Sequence, residues 1–453
     1  MIEQTKDYYS EEDILLPMLS ALKDDDLEAL RSMLSENHPT EIAELLNLCE
    51  PEDREKIIAV LGDIDPEILT FLDDSVRDDI LKIIGSQSVA EAIEELESDD
   101  AVQLVQDLPE EQIEEILEGL SLEKRQEVEE SLNYPEESAG RLANKQFVTI
   151  SDFASVGDTI DLMRTSENLP QDFYTIFVVD EEGRPTHYIP LSRIMRNKRE
   201  VKVRDLMQEI IKIIPVDTDQ EEVANIFQKY GLISAPVVNH NGKMVGVITV
   251  DDITYIIKQE AEEDILGMVG LTSQKDLFGS VIKRFSSRSP WLFINLITAF
   301  VTSFIISFFE KSIAELVALA TLMPIVASMS GNCGTQTLTI TVRALATKEL
   351  SSNNFFKMLK REFLTSMLIS LALGSSVFLV SFLMYENYLL SSIIFSAIIL
   401  TFFLASISGC AIPFIMQKLR FDPAVASSVL LTAITDMSSF FIFLTLATKI
   451  ILH

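Results

Sequence analysis

The last long apolar stretch of the chain, PAVASSVLLTAITDMSSFFIFLTLATKII from Pro423 to Ile451, decides how the rest is interpreted. It is long enough to cross a bilayer as a helix, and it carries one carboxylate, Asp436, near its middle. An aspartate at the centre of a membrane helix costs roughly 3 kcal/mol, so it is retained where it faces water, a cation or a neighbouring helix. Asp436 therefore predicts an ion path. A protonated or hydrogen-bonded structural aspartate is the alternative.

Four further apolar stretches precede this one, and together they predict five transmembrane helices. The five run from about 290 to 309, 313 to 344, 363 to 384, 389 to 416 and 423 to 451. Basic residues cluster before the first stretch, between the second and third, and between the fourth and fifth. By the positive-inside rule the N-terminus is cytosolic and the C-terminus is outside. An odd number of helices with one key aspartate favours a pore between the subunits of a homodimer.

Charge divides the chain into two unlike parts. Of its 36 Lys/Arg and 70 Asp/Glu, nine basic and seven acidic residues lie from Pro290 onward, which leaves 27 basic and 63 acidic residues before it. So negative a front region disfavours nucleic acid and favours cations as partners, although solubility alone also explains acidic surfaces. The N-terminus, MIEQTKDYYSEEDILLP, lacks the pattern of a secretory signal, so we expect the front region to stay in the cytosol.

The second apolar stretch contains a polar segment, PIVASMSGNCGTQ, from Pro324 to Gln336. Gly331 and Gly334 let helix backbones approach closely, and Asn332 offers a neutral amide oxygen. Taken alone, a packing seam of small residues explains the segment as well as a pore lining does; the nearby aspartate favours the pore. Oxygen ligands without imidazole or thiolate favour a hard divalent cation such as Mg²⁺, which keeps several of its waters when bound.

Neither a redox centre nor an enzyme is indicated by the sequence. Cys49, Cys333 and Cys410 are far apart and form no CxxC pair, which suits a reducing compartment and gives no zinc site. The sequence contains no P-loop, GxSxG or HExxH motif, and its four histidines are scattered.

The front region begins with short amphipathic runs that alternate with acidic or proline-containing turns, as in EIAELLNLCEPEDREKIIAVL. This pattern predicts an all-helical array. Next comes an internal duplication, in which FVVDEEGRPTHYIPLSRI matches PVVNHNGKMVGVITVDDI with Val179 against Val238, an offset of 59. Each copy predicts a strand, a glycine turn, a second strand and a helix, and Asn241-Gly242 is a strong hairpin signal.

This duplication resembles a tandem pair of CBS domains. Such modules often bind adenine nucleotides through a Thr or Ser on the second strand and an Asp three residues later. Thr249 and Asp252 fit that pattern in the second copy, whereas Pro190 and Arg193 occupy those places in the first. ATP or another adenine nucleotide is therefore an open alternative as a cofactor.

The segment DDITYIIKQEAEEDILGMVGL, which follows the second copy, predicts an acidic connecting helix. Glu260, Glu263 and Asp264 are spaced i, i+3 and i+4, so they share one helix face. That face repels itself unless cations or a basic partner neutralise it, and a solvated acidic helix is the alternative. Asp219 and Glu221, in DTDQEEVANIF, fit the N-cap and first turn of a helix.

The order of these parts, with three sequence words, resembles the MgtE family of Mg²⁺ transporters and channels. The words are YPEESAGRL at 134–142, SGNCGTQ at 330–336 with RALA at 343–346, and DPA at 422–424 followed by Asp436. The resemblance implies a multidomain membrane protein with an all-α N-terminal helical superhelix, α+β tandem CBS domains, a connecting helix and a five-helix α transmembrane domain. The corresponding boundaries are 1–133, 134–198, 199–256, 257–285 and 286–453.

The same resemblance implies a homodimeric, multi-pass Mg²⁺ transporter or channel, surrounded by lipids of the plasma (inner) membrane. Paired Asp436 side chains would hold hydrated Mg²⁺, and Asn332 and a carbonyl near Thr432 would line the site. In the family, cytosolic Mg²⁺ bridging acidic domains holds the connecting helix closed as a plug. Carried over by position, the bridging role falls on Asp252, Glu260, Glu263, Asp264, Asp219, Glu221 and Asp99 or Asp100. A channel for Co²⁺, Mn²⁺ or Ca²⁺, a proton-exchanging transporter and a non-conducting Mg²⁺ sensor are the alternatives.

Overall fold

The computed structural model describes residues 11–106, 108–166, 169–170, 173–268, 271, 281–419, 421 and 423–451. Asp422 and much of the predicted connecting segment, at 269–270 and 272–280, lie outside the described residues. The chain divides into two compact units, one that holds Met1–Gln259 and one that begins at Glu260.

The amino-terminal part of the first unit is all-helical in its described residues, as the sequence predicted. Its helices are α1 (Glu11–Lys23), α2 (Leu27–Glu36), α3 (Pro39–Leu48), α4 (Pro51–Leu61), α5 (Pro66–Thr70), α6 (Asp74–Glu95), α7 (Ser98–Val105), α8 (Glu110–Gly119) and α9 (Leu122–Leu132). Proline begins three of these helices, at Pro39, Pro51 and Pro66, where its missing N–H has no intrahelical partner to lose. Their apolar faces pack into one core that includes the buried side chains of Leu45 and Ile57.

The rest of the first unit is α+β, with two small sheets. The first sheet has the order β1 (Thr149–Ser151), β2 (Thr175–Val179), β3 (Pro185–Pro190) and β4 (Gln208–Glu209); the second has β5 (Ile214–Pro215), β6 (Ser234–Val238) and β7 (Met244–Thr249). The helices are α10 (Val156–Thr165), α11 (Leu191–Met195), α12 (Gln220–Tyr230) and α13 (Val250–Gly267).

The central hairpins of the two sheets, β2–β3 and β6–β7, repeat each other at the predicted offset of 59. Thr175 pairs with Pro190 at the end of the β2–β3 hairpin, and Ser234 pairs with Thr249 at the same point of the β6–β7 hairpin. The hairpin turn at Gly242 has φ +78°, a conformation that glycine adopts without steric cost. The hydroxyl of Ser234 donates a hydrogen bond to that of Thr175 over 2.9 Å, so equivalent residues of the two copies meet.

The second unit contains long apolar helices. They are α14 (Val281–Ser307), the short α15 (Glu310–Glu315), α16 (Ala318–Ala346), α17 (Phe355–Tyr385), α18 (Tyr388–Lys418) and α19 (Pro423–Ile451). Four of these, α14, α17, α18 and α19, have both the length and the hydropathy of membrane spans among the described residues. At 29 residues α16 is also long enough, but its polar segment lowers its hydropathy, so the count of five spans stays a prediction.

One predicted span differs from the helices observed. The apolar stretch from 313 to 344 is not a single helix, because the chain leaves helical geometry at Leu316, with φ −133° and ψ 84°, between α15 and α16. Averaging hydropathy over a long stretch missed this break, since the one charged residue beside it, Glu315, is outweighed by its apolar neighbours.

The second unit packs around α18. In the most apolar window of this helix 56% of the residues are buried, compared with 6% in α14 and 17% in α17. Leu390, Ile394, Ala397 and Phe402 of α18 lie in the main core of the unit. The outer faces of α14 and α17 therefore remain for lipid or for another subunit.

Candidate ion site and carboxylate cluster

Asp436 lies in the middle of α19, where its side chain is half-buried. Thr432, one turn earlier on the same face, is exposed, and so is Asn332 on α16. These three polar residues, all predicted site residues, therefore open onto the surface of the membrane unit rather than into its core. Lipid tails cannot satisfy a carboxylate, an amide and a hydroxyl, so this surface requires water, an ion or another protein surface.

Close packing between α16 and its neighbours depends on one of the two predicted glycines. A Cβ on Gly334 would come within 3.2 Å of Leu431 and 3.3 Å of Thr435 on α19, and a Cβ on Gly409 of α18 would lie 2.8 Å from the Gly334 carbonyl oxygen. The prediction for Gly334 is confirmed. For Gly331 it stays a prediction, because a Cβ there would meet nothing within 4 Å among the described residues of a single copy.

Hydroxyl groups follow the α19 backbone around Asp436. Thr432 donates to the Ser428 carbonyl over 2.9 Å, and Thr435 donates to the carbonyl of Thr432 over 3.1 Å. The Thr432 carbonyl, which the resemblance assigns to the lining of the site, therefore already accepts a hydroxyl in addition to its place in the helix. The Thr435 hydroxyl also lies 2.9 Å from the Leu431 carbonyl, so when it donates there the Thr432 oxygen keeps one of its two lone pairs for a ligand.

Four aspartates of the first unit lie close enough to repel one another. Asp99 and Asp100 begin α7, and Asp251 and Asp252 begin α13. Burial raises the pKa of Asp252 to about 7, with the charge of Asp251 adding to the effect. Burial and the charge of Asp251 also raise the pKa of Asp100 to about 6. We call these four residues the carboxylate cluster.

Two members of the carboxylate cluster differ in their hydrogen bonding. Asp252 accepts the backbone N–H of Thr249 over 3.2 Å and its hydroxyl over 3.0 Å, which lowers the Asp252 pKa against the larger effect of burial. For Asp99, burial and then the charge of Asp252 raise the pKa well above its usual range. One carboxylate oxygen of Asp99 is buried without a hydrogen-bond partner in the described structure.

The predicted acidic face of the connecting helix lies on α13, where Glu260 and Asp264 are half-buried and Glu263 is exposed. Directly after this helix, Met268 packs against Leu338 of α16 and Leu431 of α19. The chain that carries the acidic face thus leads into a contact with the two helices that hold Asn332 and Asp436.

Asp219 and Glu221 have the positions that the sequence predicted for a helix start. Asp219 is the N-cap of α12, and its carboxylate accepts the backbone N–H of Glu221 over 2.9 Å. Both side chains are exposed. The structure thus gives this pair a capping role and does not bring it into the carboxylate cluster.

Sequence reasoning did not separate Asp99 from Asp100, and it missed Asp251. The signal was present, because two adjacent acids open each of α7 and α13. Within the described residues, no group of three or more His, Cys, Asp or Glu is arranged to hold a metal ion. A cation bound at the carboxylate cluster would therefore be held by one or two carboxylates with water completing its shell, as Mg²⁺ often is.

Matches to family models extend over most of the chain. The model described as MgtE intracellular N domain matches residues 37–137, the CBS domain model matches 139–200 and 203–259, and the MgtE model, described as divalent cation transporter, matches 323–446. A helical intracellular domain, a CBS pair and a bundle of membrane helices define a class of multi-pass transporters.

Curated relatives identify the family within that class. "Magnesium transporter MgtE" of Bacillus subtilis is 33% identical over 324 residues, which cover 71% of each chain. The protein of that name from Thermus thermophilus is 31% identical over 69% of this chain and 70% of its own. The chain belongs to the MgtE family. The solved structure described as the cytosolic domain of the Mg²⁺ channel MgtE in complex with ATP matches with a TM-score of 0.48 and 28% identity, over 53% of this chain and 99% of that one.

Proposed function

We propose that this protein carries Mg²⁺ across the plasma membrane through a pore that two copies form around their Asp436 carboxylates. The observation that carries the proposal is the placement of Asp436, Asn332 and Thr432 on the surface of the membrane unit. A second copy related by a two-fold axis would cover this surface and bring two carboxylates together. Relatives that match about 70% of the chain are named magnesium transporters, which supports Mg²⁺ as the cargo.

The donor set suits an ion that keeps its inner waters. Mg²⁺ gives up water reluctantly and is usually held through one or two carboxylates. Two Asp436 side chains supply the charge, and the Asn332 amide and Thr432 hydroxyl can orient the waters of the hydrated ion. Such binding stays weak enough for the ion to leave, which conduction requires.

Orientation follows from the basic loops. The cytosolic face of the membrane unit holds the start of α14 and the ends of α16 and α18, where Arg288, Arg343 and Lys418 lie. We therefore place the N-terminus in the cytosol and the C-terminus outside. Inward flow of Mg²⁺ down the membrane potential is the direction we propose.

Cytosolic Mg²⁺ closes the pore in this proposal, and the carboxylate cluster senses it. When cytosolic Mg²⁺ is low, the charged forms of Asp100 and Asp252 repel each other and separate α7 from α13. When it is high, cations between them replace repulsion with bridging, so the arrangement with the helices together is favoured. Movement of α13 reaches the pore helices through Met268.

Further acids on α13, exposed or half-buried, extend the same sensor. Glu260, Glu263 and Asp264 share one face of the helix, so partial neutralisation by Mg²⁺ would let that face approach other acidic surfaces. Asp219 and Glu221 belong to the proposed sensor as exposed carboxylates at the start of α12. Binding of ATP or another adenine nucleotide at the CBS pair stays a prediction; in this structure the Thr249 hydroxyl is bonded to Asp252.

The pore is tested with purified protein in liposomes, by measuring Mg²⁺ uptake under an inside-negative potential. We expect wild type to conduct Mg²⁺. Asp436→Asn keeps the size of the side chain and removes its charge, so its Mg²⁺ flux should be about 10- to 100-fold lower, as for other lost charged contacts. Glu315→Gln is the matched control, because it removes an exposed carboxylate of the membrane unit outside the site. Competition by Co²⁺, Mn²⁺ and Ca²⁺ in the same assay measures selectivity.

Equal flux in wild type and Asp436→Asn would overturn the pore at this aspartate. An absence of flux in wild type that is shown to be folded and dimeric would favour the non-conducting sensor. Uptake that follows a pH gradient rather than the potential would favour proton exchange.

A further inference from the structure

Two contacts between α16 and α19 lie on either side of Asp436. Ser330 of α16 meets Ser439 of α19, with 2.5 Å between the two hydroxyl oxygens. Gly334 of α16 meets Thr435 of α19, where an added Cβ would lie 3.3 Å from the threonine methyl group. The residue number rises along one helix as it falls along the other, so the helices are antiparallel here. Asp436 is in the single turn of α19 between these contacts.

The residue numbers along α16 also place Asn332 at the height of that turn. On α16, Asn332 lies midway in sequence between Ser330 and Gly334, so it occupies the height of the turn that carries Asp436. At 3.6 residues per turn Asn332 lies on the opposite side of α16 from Ser330 and Gly334, so the spacing of α16 from α19 sets how far the turn that carries Asp436 stands from the helix that carries Asn332. Whatever fixes that spacing also fixes the oxygen positions that a passing ion meets.

The Ser330–Ser439 contact is suited to hold the two helices in position. Both side chains are fully buried, at 0% exposure. The Ser330 hydroxyl donates to the Ala327 carbonyl over 3.0 Å, so it accepts the hydrogen bond from Ser439. In an interior without competing water, such a chain of hydrogen bonds is stronger than it is at a surface.

We propose that the Ser439–Ser330 hydrogen bond sets the separation of α16 and α19 at Asp436 and thereby tunes which divalent cation the pore accepts. The inference rests on the proposed pore, and it assigns a role to two serines that do not contact the ion. They are positioning residues, since both hydroxyls point into the helix interface. Mg²⁺ holds its waters in a rigid octahedron whereas Ca²⁺ accepts looser shells, so a change in the spacing of the protein oxygens that bind those waters alters the relative binding of the two ions.

The experiment is a double-mutant cycle on selectivity in proteoliposomes. Ser330→Ala, Ser439→Ala and the double variant are compared for Mg²⁺ uptake and for its inhibition by Ca²⁺ and Co²⁺. We expect each single variant to change the ratio of apparent Ca²⁺ to Mg²⁺ affinity by roughly 3- to 10-fold, as for one buried hydrogen bond. The double variant should equal the singles, because the same bond is lost in all three.

A matched pair of serines provides the control. The hydroxyl of Ser391 on α18 donates to that of Ser381 on α17 over 3.4 Å, and both residues are buried. Ser381→Ala and Ser391→Ala remove an interhelical hydrogen bond in other helices, so they should leave the affinity ratio unchanged.

Three outcomes overturn the inference: an unchanged affinity ratio with equal loss of flux for all ions, additive effects in the double variant, or the same shift in the control pair. Each of these leaves the pore intact, because wild-type flux and its loss in Asp436→Asn are measured in the same series. If an alanine variant does not fold, Ser330→Thr and Ser439→Thr replace it. Each adds a methyl group to a fully buried contact between the helices and so changes their separation; a shifted ratio supports the inference and an unchanged ratio in folded protein overturns it.

Discussion

Asp436 and the carboxylate cluster use the same type of residue in opposite ways. Asp436 is the single acid of α19, and it opens onto the surface of the membrane unit. The cluster brings four aspartates from α7 and α13 together, at pKa values that burial and mutual charge raise toward neutrality. In the proposed pore Asp436 supplies one charge and a second copy supplies the other, whereas the cluster holds several acids in one chain whose repulsion a cation or a proton relieves. A carboxylate can serve conduction or sensing depending on its neighbours.

The largest effect should come from removing the charge excess. In liposomes loaded with Mg²⁺, we expect wild-type uptake to be inhibited. In the triple variant Asp252→Ala, Glu260→Ala, Glu263→Ala, we expect uptake at high internal Mg²⁺ to exceed that of wild type by a factor of roughly 5 to 150, the usual range of allosteric coupling. The physical reason is that bridging cations lose their ligands. Uptake at low and high internal Mg²⁺ gives the measurement.

A control with equal charge removal tests whether position matters. Glu110, Glu111 and Glu114 are exposed acids on α8, and their triple alanine variant should be inhibited like wild type. Inhibition that persists in the α13 variant, or that disappears in both, would contradict the sensor.

Protons should compete with Mg²⁺ at the carboxylate cluster but not in the loops around it. Because the pKa values of Asp252 and Asp100 are raised to about 7 and 6, the contact between α7 and α13 is most stable when these groups are neutral and loses stability as the pH rises from about 4 to 7. Mg²⁺ restores that stability only where the carboxylates are charged. We expect its affinity to be roughly tenfold or more weaker at about pH 5.5 than at about pH 7.5.

Hydrogen exchange of α7 and the first turns of α13, measured against Mg²⁺ concentration at both pH values, reports this competition. Asp252→Asn should weaken Mg²⁺ binding at high pH and flatten its pH dependence. An affinity that does not change with pH in wild type would show that these carboxylates are not the ligands.

A neutral oxygen in the pore should matter less than a charge. Asn332→Ala removes the amide next to the turn that holds Asp436, and we expect the apparent Mg²⁺ affinity for transport to fall roughly 3- to 10-fold, as for one lost hydrogen bond. Asn295 on α14 is also exposed, and Asn295→Ala serves as the control. Equal effects of the two variants would remove Asn332 from the site.

The smallest effect should come from the bond that holds Asp252 in place. Thr249→Val loses the hydroxyl that donates to Asp252 and should destabilise the start of α13 by about 1 kcal/mol. Thr254→Val, which loses only a bond within its own helix, is the comparison. Thermal unfolding followed with and without Mg²⁺ measures both; a smaller effect of Thr249→Val than of Thr254→Val would contradict this role.

Local features of this chain could be predicted from the sequence because they depend on residues that are close together in the chain. The turn at Gly242, the N-cap at Asp219 and the offset of 59 between the CBS copies all depend on residues within a few positions of one another. The polar segment of α16 also predicted the close packing of helices at Gly334. Residue types and spacing carry this information directly.

Contacts between distant residues were not readable in this way. Ser330 and Ser439 are 109 positions apart, and no periodicity states which face of one helix meets which face of another. The sequence could not separate Asp99 from Asp100 for the same reason; in the structure the charge of Asp252 acts on Asp99 and that of Asp251 acts on Asp100. The break at Leu316 was missed because the apolar residues around it outweigh the single charge of Glu315 in a hydropathy average.

The bond between Thr175 and Ser234 joins two positions that descend from one ancestral residue. Such a contact needs a suitable side chain to arise only once, because duplication of the module supplies both residues of the contact at the same time. It leaves the ends of the hairpins free to diverge, as Pro190 and Thr249 have done, while the seam between the copies is kept. The CBS pair can therefore change the residues at the ends of its hairpins without changing the contact that joins its two copies.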